Sequence, residues 1–549
     1  MDSQTPNPQQ HPDSLCERCK SIDFDAILSR QYDDGSGIVP LVNLAHLPLG
    51  DCALCQMFAQ YRGDDWDGGV LCSAPLGGDT TNLGIGQKEN RSRPRMLCIL
   101  PTSLHDYIDF TLGFFRQKGY ISEHVNIPSS WNEGPAGPRS LDPGVIDYSI
   151  IRRWFDFCQD NHVRRHICES SNVDPKWPIR FIDCETRLVV EVASLGSPCP
   201  PFLALSYVWG QHVDLQYRPP AHDEPLQDVP LTVEDSIVVT QKLGFRYLWV
   251  DKYCIRQDDE GDKRRQVPLM ADIYGSAQIT IIAVAGSDPS YGLPGVSEPR
   301  KIHQSQVRVG NHTLTWEWGS DPLREEIASS TWSTRGWTYQ EGLLSTRRLV
   351  FTDQQVYFQC SRSSFYETLK IPFDRPNWTE PNPIFPCLKD TSSKWYMGVG
   401  DRIHEYTLRK LGNEDDILNA FQGLFSAFSK EPMSVYNIWG IPISTCYVRD
   451  GDKIRYPAHG FLANIFWTLE TPADRRHNFP SWSWAGWKGV VGWKYIDFIG
   501  SIASNDTDIT VSFESPAAGT ISEYWFLTAP PFRFRSKKLM MRVMPMVRH

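Results

Sequence analysis

The chain has 549 residues, 41% hydrophobic and 22% charged, which is the make-up of a globular protein with ample material for a large core. Its 55 basic and 65 acidic side chains leave a formal charge of −10, so nothing draws the whole chain toward phosphate backbones or anionic lipid, and nucleic acid is excluded as the main partner. The mostly apolar run from Ile279 to Ala285 is far too short to span a bilayer, and residues 1–10 carry neither a basic nor an apolar targeting segment, so the cytosol is the expected compartment.

Residues 1–14 are polar and Pro-rich and are expected to be disordered. A cysteine-bearing region, 15–150, follows. Cys16-x2-Cys19 and Cys52-x2-Cys55 are two knuckles with 32 residues between them. Two readings stand. Four thiolates paired in this way suit tetrahedral zinc, with Cys16, Cys19, Cys52 and Cys55 as ligands; otherwise two helix-start turns pack their small cysteines together, with Leu54, Met57 and Phe58 as core. Residues 60–95, rich in Gly and Asp, read as an extended loop, Leu97–Leu100 as a strand, and 121–145 as a linker.

The lead-in, 151–200, continues a helical pattern that begins at Pro143 and runs to Cys168. Trp154, Cys158 and His162 recur every four residues and share one helix face. The spacing of Cys158, His162 and Cys168 permits a metal, but their apolar and aromatic neighbours fit a packed helix better. Arg180–Cys184 and Arg187–Glu191 read as a hairpin around Glu185-Thr186.

The organising stretch is 201–352. Leu203–Gly210 and Leu248–Asp259 begin as apolar β-rich runs and end abruptly in polar or aromatic residues, as buried parallel strands do on leaving a core. Between them, Thr232–Gly244 reads as a helix with Thr232 and Asp235 as a capping box and Gly244 as terminator, which makes a β-α-β unit. Ligands of such sheets sit beyond the carboxyl ends of the strands, where Tyr207, Trp209 and Asp251 stand. Arg256–Asp262 reads as a polar loop, Pro268 as the first turn of a helix turning Met270, Ile273 and Tyr274 inward, and Gln278–Gly286 as a buried strand. Arg335-Gly-Trp-Thr-Tyr-Gln-Glu341 follows.

In the region 353–529, the strand Val356–Cys360 pairs with Arg348–Thr352 before it, Ser361–Glu367 reads as a polar loop, Asp401–Phe428 as helix broken at Gly412-Asn413, and Pro480–Trp487 as a strand. Residues 530–549 form a basic tail without acids, read as solvated and disordered.

Three blocks resemble the fungal heterokaryon incompatibility (HET) domain family: Ser206–Gly210, Trp249–Gln257 and Arg335–Glu341. Similar pieces extend the resemblance from about Cys16 to about Trp493, while Tyr253 and Pro268 depart from the family pattern. The resemblance implies an α/β fold with a TIR-like, flavodoxin-like parallel-sheet core, flanked by the N-terminal cysteine region and a C-terminal α+β region. It implies a cytosolic self/non-self or innate-immunity effector of programmed cell death, acting as a homo-oligomer or with other death-signalling proteins. The order of strand, Asp, polar loop, helix, strand and Trp-x3-Glu is also similar to TIR domains, where the corresponding glutamate is tied to NAD⁺ cleavage; here it is Glu341, four after Trp337.

That chemistry suits the residue types. Cleaving the nicotinamide–ribose bond builds positive charge on the ribose, which a carboxylate stabilises. Trp209 or Trp337 can stack on a planar ring, Arg335 can meet a pyrophosphate, and Asp251 can orient ribose or Arg335. Ser206, Tyr207 and Gln257 in the same blocks complete the candidate dinucleotide contacts. The competing reading makes Thr338–Glu341 a capping box in which Glu341 only starts a helix, Asp251 and Arg335 a structural ion pair, and the core a non-catalytic scaffold that self-associates and recruits partners. Cys254 reads as a buried hydrophobe. A P-loop and a His-Glu-x2-His zinc motif are both absent.

Overall fold

The computed structural model describes residues 15–28, 39–44, 52–61, 69–75, 95–101, 120–123, 137–164, 168–170, 173–174, 177–210, 224–317, 320–370, 384–386, 395–429, 435–444, 447–449, 452–454, 464–465, 467–493, 510–512 and 526–528. The expectations for residues 1–14 and 530–549 lie outside this set. The chain divides into two compact units, Met1–Cys387 and Leu388–His549. No helix among the described residues is long and apolar enough to cross a membrane.

The first unit is built on an eight-stranded sheet. Its strands are β1 (Arg180–Asp183), β2 (Val189–Glu191), β3 (Phe202–Ser206), β4 (Tyr247–Trp249), β5 (Ile279–Ala283), β6 (Arg347–Phe351), β7 (Val356–Cys360) and β8 (Ser364–Tyr366), in the spatial order β8-β7-β6-β5-β3-β4-β1-β2. The four central strands are parallel. Numbered by chain order, they run 2-1-3-4 across the sheet. Every residue of β3, β5 and β6 is buried, which is why these strands read as unbroken apolar runs rather than alternating ones. β1, β2, β7 and β8 add antiparallel flanks, so the expected hairpins on both sides of the core are present.

Helices cover this sheet. Helix α1 (Tyr148–Cys158) is capped by Asp147, which accepts from the Ser149 N–H at 2.9 Å, and stacks Trp154 on Phe365 with ring centroids 5.8 Å apart. Helix α2 (Leu231–Lys242) links β3 to β4 and ends at Gly244, whose φ of +77° suits glycine as expected. Its start differs from the expected capping box. Asp235 is buried and accepts from the Leu293 N–H and the Ser297 hydroxyl, both at 2.6 Å, while Thr232 accepts from the Gly292 N–H at 3.2 Å. These two side chains fasten the loop after β5 to α2 instead of closing on their own helix. Helix α3 (Met270–Ser276) begins after a turn containing Pro268 and buries Met270, Ile273 and Tyr274, as expected.

Other local readings fail where tertiary partners decide. Glu260–Gln266 is a helix capped by Asp259, not part of a polar loop. The segment expected to be loop after Ser361 supplies β8, because β7 offers it a free edge. Gly69–Pro75, inside the expected 60–95 loop, and Tyr120–Glu123, at the start of the expected linker, are strands. With Val39–Asn43, Arg95–Pro101, Gln306–Val309 and His312–Glu317 they form a second, antiparallel sheet of six strands. The last two strands come from the stretch between β5 and β6, so the cysteine region and the core share one sheet. Leu54, Met57 and Phe58 are buried against it, as expected of them.

The second unit packs Trp395–Thr407 and Asn419–Phe428 with a short turn, Glu414–Ile417, between them, close to the expected broken helix. Tyr406 and Phe421 meet at 5.1 Å. Pro480–Trp487 is not a strand: Ser483 caps a tight turn at Trp484–Gly486, and the buried Trp484 indole donates to the Gly440 carbonyl at 2.6 Å.

A buried ion pair fixes the edge of the main sheet. Arg300 donates to both carboxylate oxygens of Glu367 at 2.7 Å, and Glu367 also accepts from the Val356 N–H at 2.8 Å. Arg300→Met strands this carboxylate and is expected to destabilise the protein by about 3–5 kcal/mol in denaturant melts, part of which returns in the double variant Arg300→Met/Glu367→Leu.

Candidate functional site

Residues far apart along the chain meet at one end of the parallel strands. Ser206 is the last residue of β3, with Tyr207 and Trp209 just beyond it; Asp251 follows β4; Glu341 lies in the helix that precedes β6, α4 (Gly336–Leu344), and Arg335 is the residue before that helix. They form one network. The Ser206 hydroxyl donates to Glu341 Oε2 at 2.5 Å and accepts from the Trp332 indole N–H at 2.8 Å. The Trp209 indole N–H is shared between both oxygens of Asp251 at 3.0 Å, and the Lys252 N–H donates to Asp251 Oδ1 at 2.7 Å. Arg335 donates from Nη1 to the Tyr207 carbonyl at 2.8 Å, holding α4 to the end of β3.

One of the sequence readings is corrected here. Glu341 is not a helix cap: α4 begins five residues earlier, at Gly336, and the carboxylate turns inward to Ser206. The Thr338 hydroxyl instead donates to the Trp332 carbonyl at 2.6 Å. Asp251, beyond the end of β4 as expected, begins a helical turn, Asp251–Cys254. Gln257 braces that turn from behind, donating to the carbonyls of Asp251 and Ile255 at 3.1 Å.

The site is layered. Ser206 and Tyr207 are buried, and Glu341 is 4% exposed. Trp209, Asp251 and Arg335 are half-buried and form a rim beside them; Trp337, also half-buried, follows Arg335 at the start of α4. Residues missed as members of the site are Trp332, which orients Ser206, and Tyr274, whose phenol lies against Glu341 and donates to the Leu205 carbonyl at 3.1 Å. The inward-facing spacing of α3 signalled that Tyr274 was core but not which carboxyl it would meet.

Electrostatics follow from the burial. Burial first, and then the neighbouring Asp251 carboxylate, push Glu341 up from its ordinary 4.5 to about 7, against the pull of Ser206, Arg335 and Tyr274. Burial also lifts Asp251 to about 6, opposed mainly by the Arg335 guanidinium. The two carboxyls therefore titrate as a pair near neutrality. Such a pair, with a guanidinium and two indoles beside it, can hold a cationic ring or stabilise positive charge as it develops.

The cysteine knuckles also converge. Cys16 caps the first short helix, Glu17–Lys20, and Cys52 immediately precedes the helix Ala53–Tyr61, so both knuckles do lie at helix starts. The sulfurs of Cys16, Cys19, Cys52 and Cys55 all lie within 4.8 Å of one another, with Cys16–Cys55 at 3.7 Å and Cys19–Cys55 at 3.4 Å. Tetrahedral zinc with sulfur at 2.3 Å sets neighbouring sulfurs about 3.8 Å apart. The group can hold a metal. Burial raises the Cys52 thiol, but backbone N–H groups of Cys16 and Cys55 together with the Cys19 and Cys55 sulfurs hold it down to about 7, whereas burial pushes Cys55 up to about 12.

Residues 202–341 match the family model described as "Heterokaryon incompatibility protein (HET)", the span that contains Ser206, Asp251, Arg335 and Glu341. A segment of 130 residues is 30% identical to "Heterokaryon incompatibility protein 6, OR allele" of Neurospora crassa; it covers 22% of this chain and 18% of that relative's length. No solved structure matches. The chain carries a HET domain.

The titration of Glu341 has a sign that can be checked. Its folded pKa lies above the unfolded value, so between about pH 4.5 and about 7 the folded state binds the extra proton and stability falls as pH rises. Glu341→Gln, which resembles the protonated acid, is expected to be at least as stable as the native chain at pH 8, with its relative advantage shrinking toward pH 5. Thermal melts across that range measure it.

Proposed function

We propose that this HET-domain chain is a cytosolic effector of the incompatibility or innate-immunity type, which promotes cell death by cleaving NAD⁺ to nicotinamide and ADP-ribose at the Glu341 site. It acts as a homo-oligomer or with other death-signalling proteins. The observation that carries the reading is the Glu341–Asp251 pair, the first carboxyl buried and the second half-buried, at the carboxyl ends of the parallel strands, where open α/β sheets bind ligands. The 2-1-3-4 order of those strands is the flavodoxin-like one, and it agrees with a TIR-like core.

The chemistry follows from charge. NAD⁺ carries a positive pyridinium ring, which favours the ionised form of a neighbouring carboxyl. As the bond from ring nitrogen to ribose breaks, its electron pair stays with nicotinamide, neutralising the ring, and positive charge moves onto the ribose. Glu341 stabilises that charge. A water molecule adds to the ribose carbon and its proton is released, Glu341 being placed to accept it. Ser206, held by Trp332, positions the carboxylate; Trp209 or Trp337 stacks on a planar ring; Arg335 meets the pyrophosphate; Asp251 and Tyr207 orient the ribose. Gln257 acts by bracing the Asp251 turn. Zinc bound by Cys16, Cys19, Cys52 and Cys55 is structural in this reading, since four protein ligands leave no open position.

The burial of Glu341 favours a second reading, in which the HET core is a non-catalytic scaffold that self-associates and recruits partners. The enzymatic reading requires the rim above Glu341 to move before a dinucleotide reaches it, and assembly is a natural trigger. Nicotinamide release by the purified full chain, dispersed and assembled, separates the two. The enzymatic reading expects release by the assembled protein that rises with pH through about 7 and falls at least 100-fold in Glu341→Gln with the fold intact. No release in any assembled state favours the scaffold.

A further inference from the structure

A second group of metal-ligating side chains lies beside Arg347 at the start of β6, outside both sites above. Cys158 ends α1; His162 sits in the widened π turn Gln159–Val163 that follows; Cys168 lies at the bend beyond; and Cys360 ends β7. The sequence spacing presented only three of these, and packing was then the better account. The fold brings in the fourth from 198 residues beyond His162.

We infer that Cys158, His162, Cys168 and Cys360 form a structural zinc site that pins the lead-in helix to the main sheet. One ligand atom from each lies within 4.8 Å of all the others, and all four residues are buried. Cys360 Sγ and His162 Nδ1 are 3.4 Å apart, close to the edge of about 3.5 Å that a tetrahedron with sulfur at 2.3 Å and nitrogen at 2.0–2.1 Å requires. The π turn matters here. Cys158 and His162 stand four residues apart across the junction of α1 with this turn, their ligand atoms close together, and such turns recur at functional positions.

A second, independent observation concerns charge. Arg347, in β6, is 1% exposed, and its guanidinium donates to Cys158 Sγ at 3.2 Å, Ser170 Oγ at 3.1 Å and the carbonyls of Gln278 and Cys168 at 3.1 and 2.8 Å. No carboxylate is among these acceptors. A buried guanidinium calls for a counter-charge. Three thiolates and a neutral imidazole around Zn²⁺ sum to −1, and that charge lies against Arg347. Cys360 Sγ further accepts from the N–H groups of Ser363 at 3.3 Å and Arg362 at 3.5 Å, the outer donors that a metal-bound thiolate needs. With four protein ligands the site is closed, which assigns it to folding rather than catalysis.

The test is zinc content and coordination of the full-length chain. Two zinc atoms per chain are expected, falling by one in Cys360→Ser and by one in Cys19→Ser/Cys55→Ser. X-ray absorption at the zinc edge of the native chain, which needs no variant to fold, is expected to show a nitrogen shell at about 2.0–2.1 Å beside sulfur at about 2.3 Å. One zinc, lost in Cys360→Ser and kept in Cys19→Ser/Cys55→Ser, supports this site and overturns the four-cysteine one. Zinc content unchanged by Cys360→Ser, sulfur-only coordination in the native chain, or no zinc at all overturns the inference.

Discussion

The Ser206–Glu341 hydrogen bond is the contact on which the arrangement of the site depends. It joins the end of the central strand to a helix 135 residues further along, and it exists only because the parallel sheet brings those two elements to one rim. The cost of holding this carboxyl out of water is met in part by Ser206, Arg335 and Tyr274, and the remainder surfaces as a raised pKa. A helix cap needs no such arrangement. A carboxyl that served only to begin α4 would face solvent near the helix start, whereas this one lies mid-helix beside a second acid that makes its ionisation harder. Unfavourable electrostatics maintained by packing accords with the catalytic role proposed for Glu341 above.

The two cysteine clusters have a common architectural logic. One gathers two helix starts against the antiparallel sheet; the other gathers α1, the bend at Cys168 and the end of β7. In both, residues that are distant in sequence converge on a point where apolar packing alone would leave several sulfurs in mutual contact. The zinc proposed at such points would couple local folding to the ion. The Arg300–Glu367 pair, which ties the loop after β5 to the edge of the sheet, acts on the same frame by charge alone.

Much of the core was legible because its strands are buried on both faces and so read as short apolar runs with abrupt polar ends; Phe202–Ser206 and Ile279–Ala283 are of this kind. Glu341 was ambiguous because Thr338-x2-Glu341 satisfies a capping pattern locally, and only the arrival of Ser206 decides the matter. Thr232 and Asp235 misled for the same reason, since their partners are the distant loop residues Gly292, Leu293 and Ser297. Ser364–Tyr366 read as loop because an edge strand borrows its order from its neighbour rather than from its own composition. Cys360 carried no local signal at all: it stands in an apolar strand, and its meaning depends on a helix about two hundred residues earlier.

The central claim, that the Glu341–Asp251 pair receives the cationic end of a dinucleotide, is tested most directly by calorimetry of NAD⁺ binding to the assembled full-length chain at pH 6.5 in buffers of different ionisation enthalpy. The account predicts proton release on binding, because the pyridinium charge lowers carboxyl pKa values that burial has raised, and predicts that the release is diminished in Glu341→Gln. Binding without any proton exchange, or no binding at all, would contradict it.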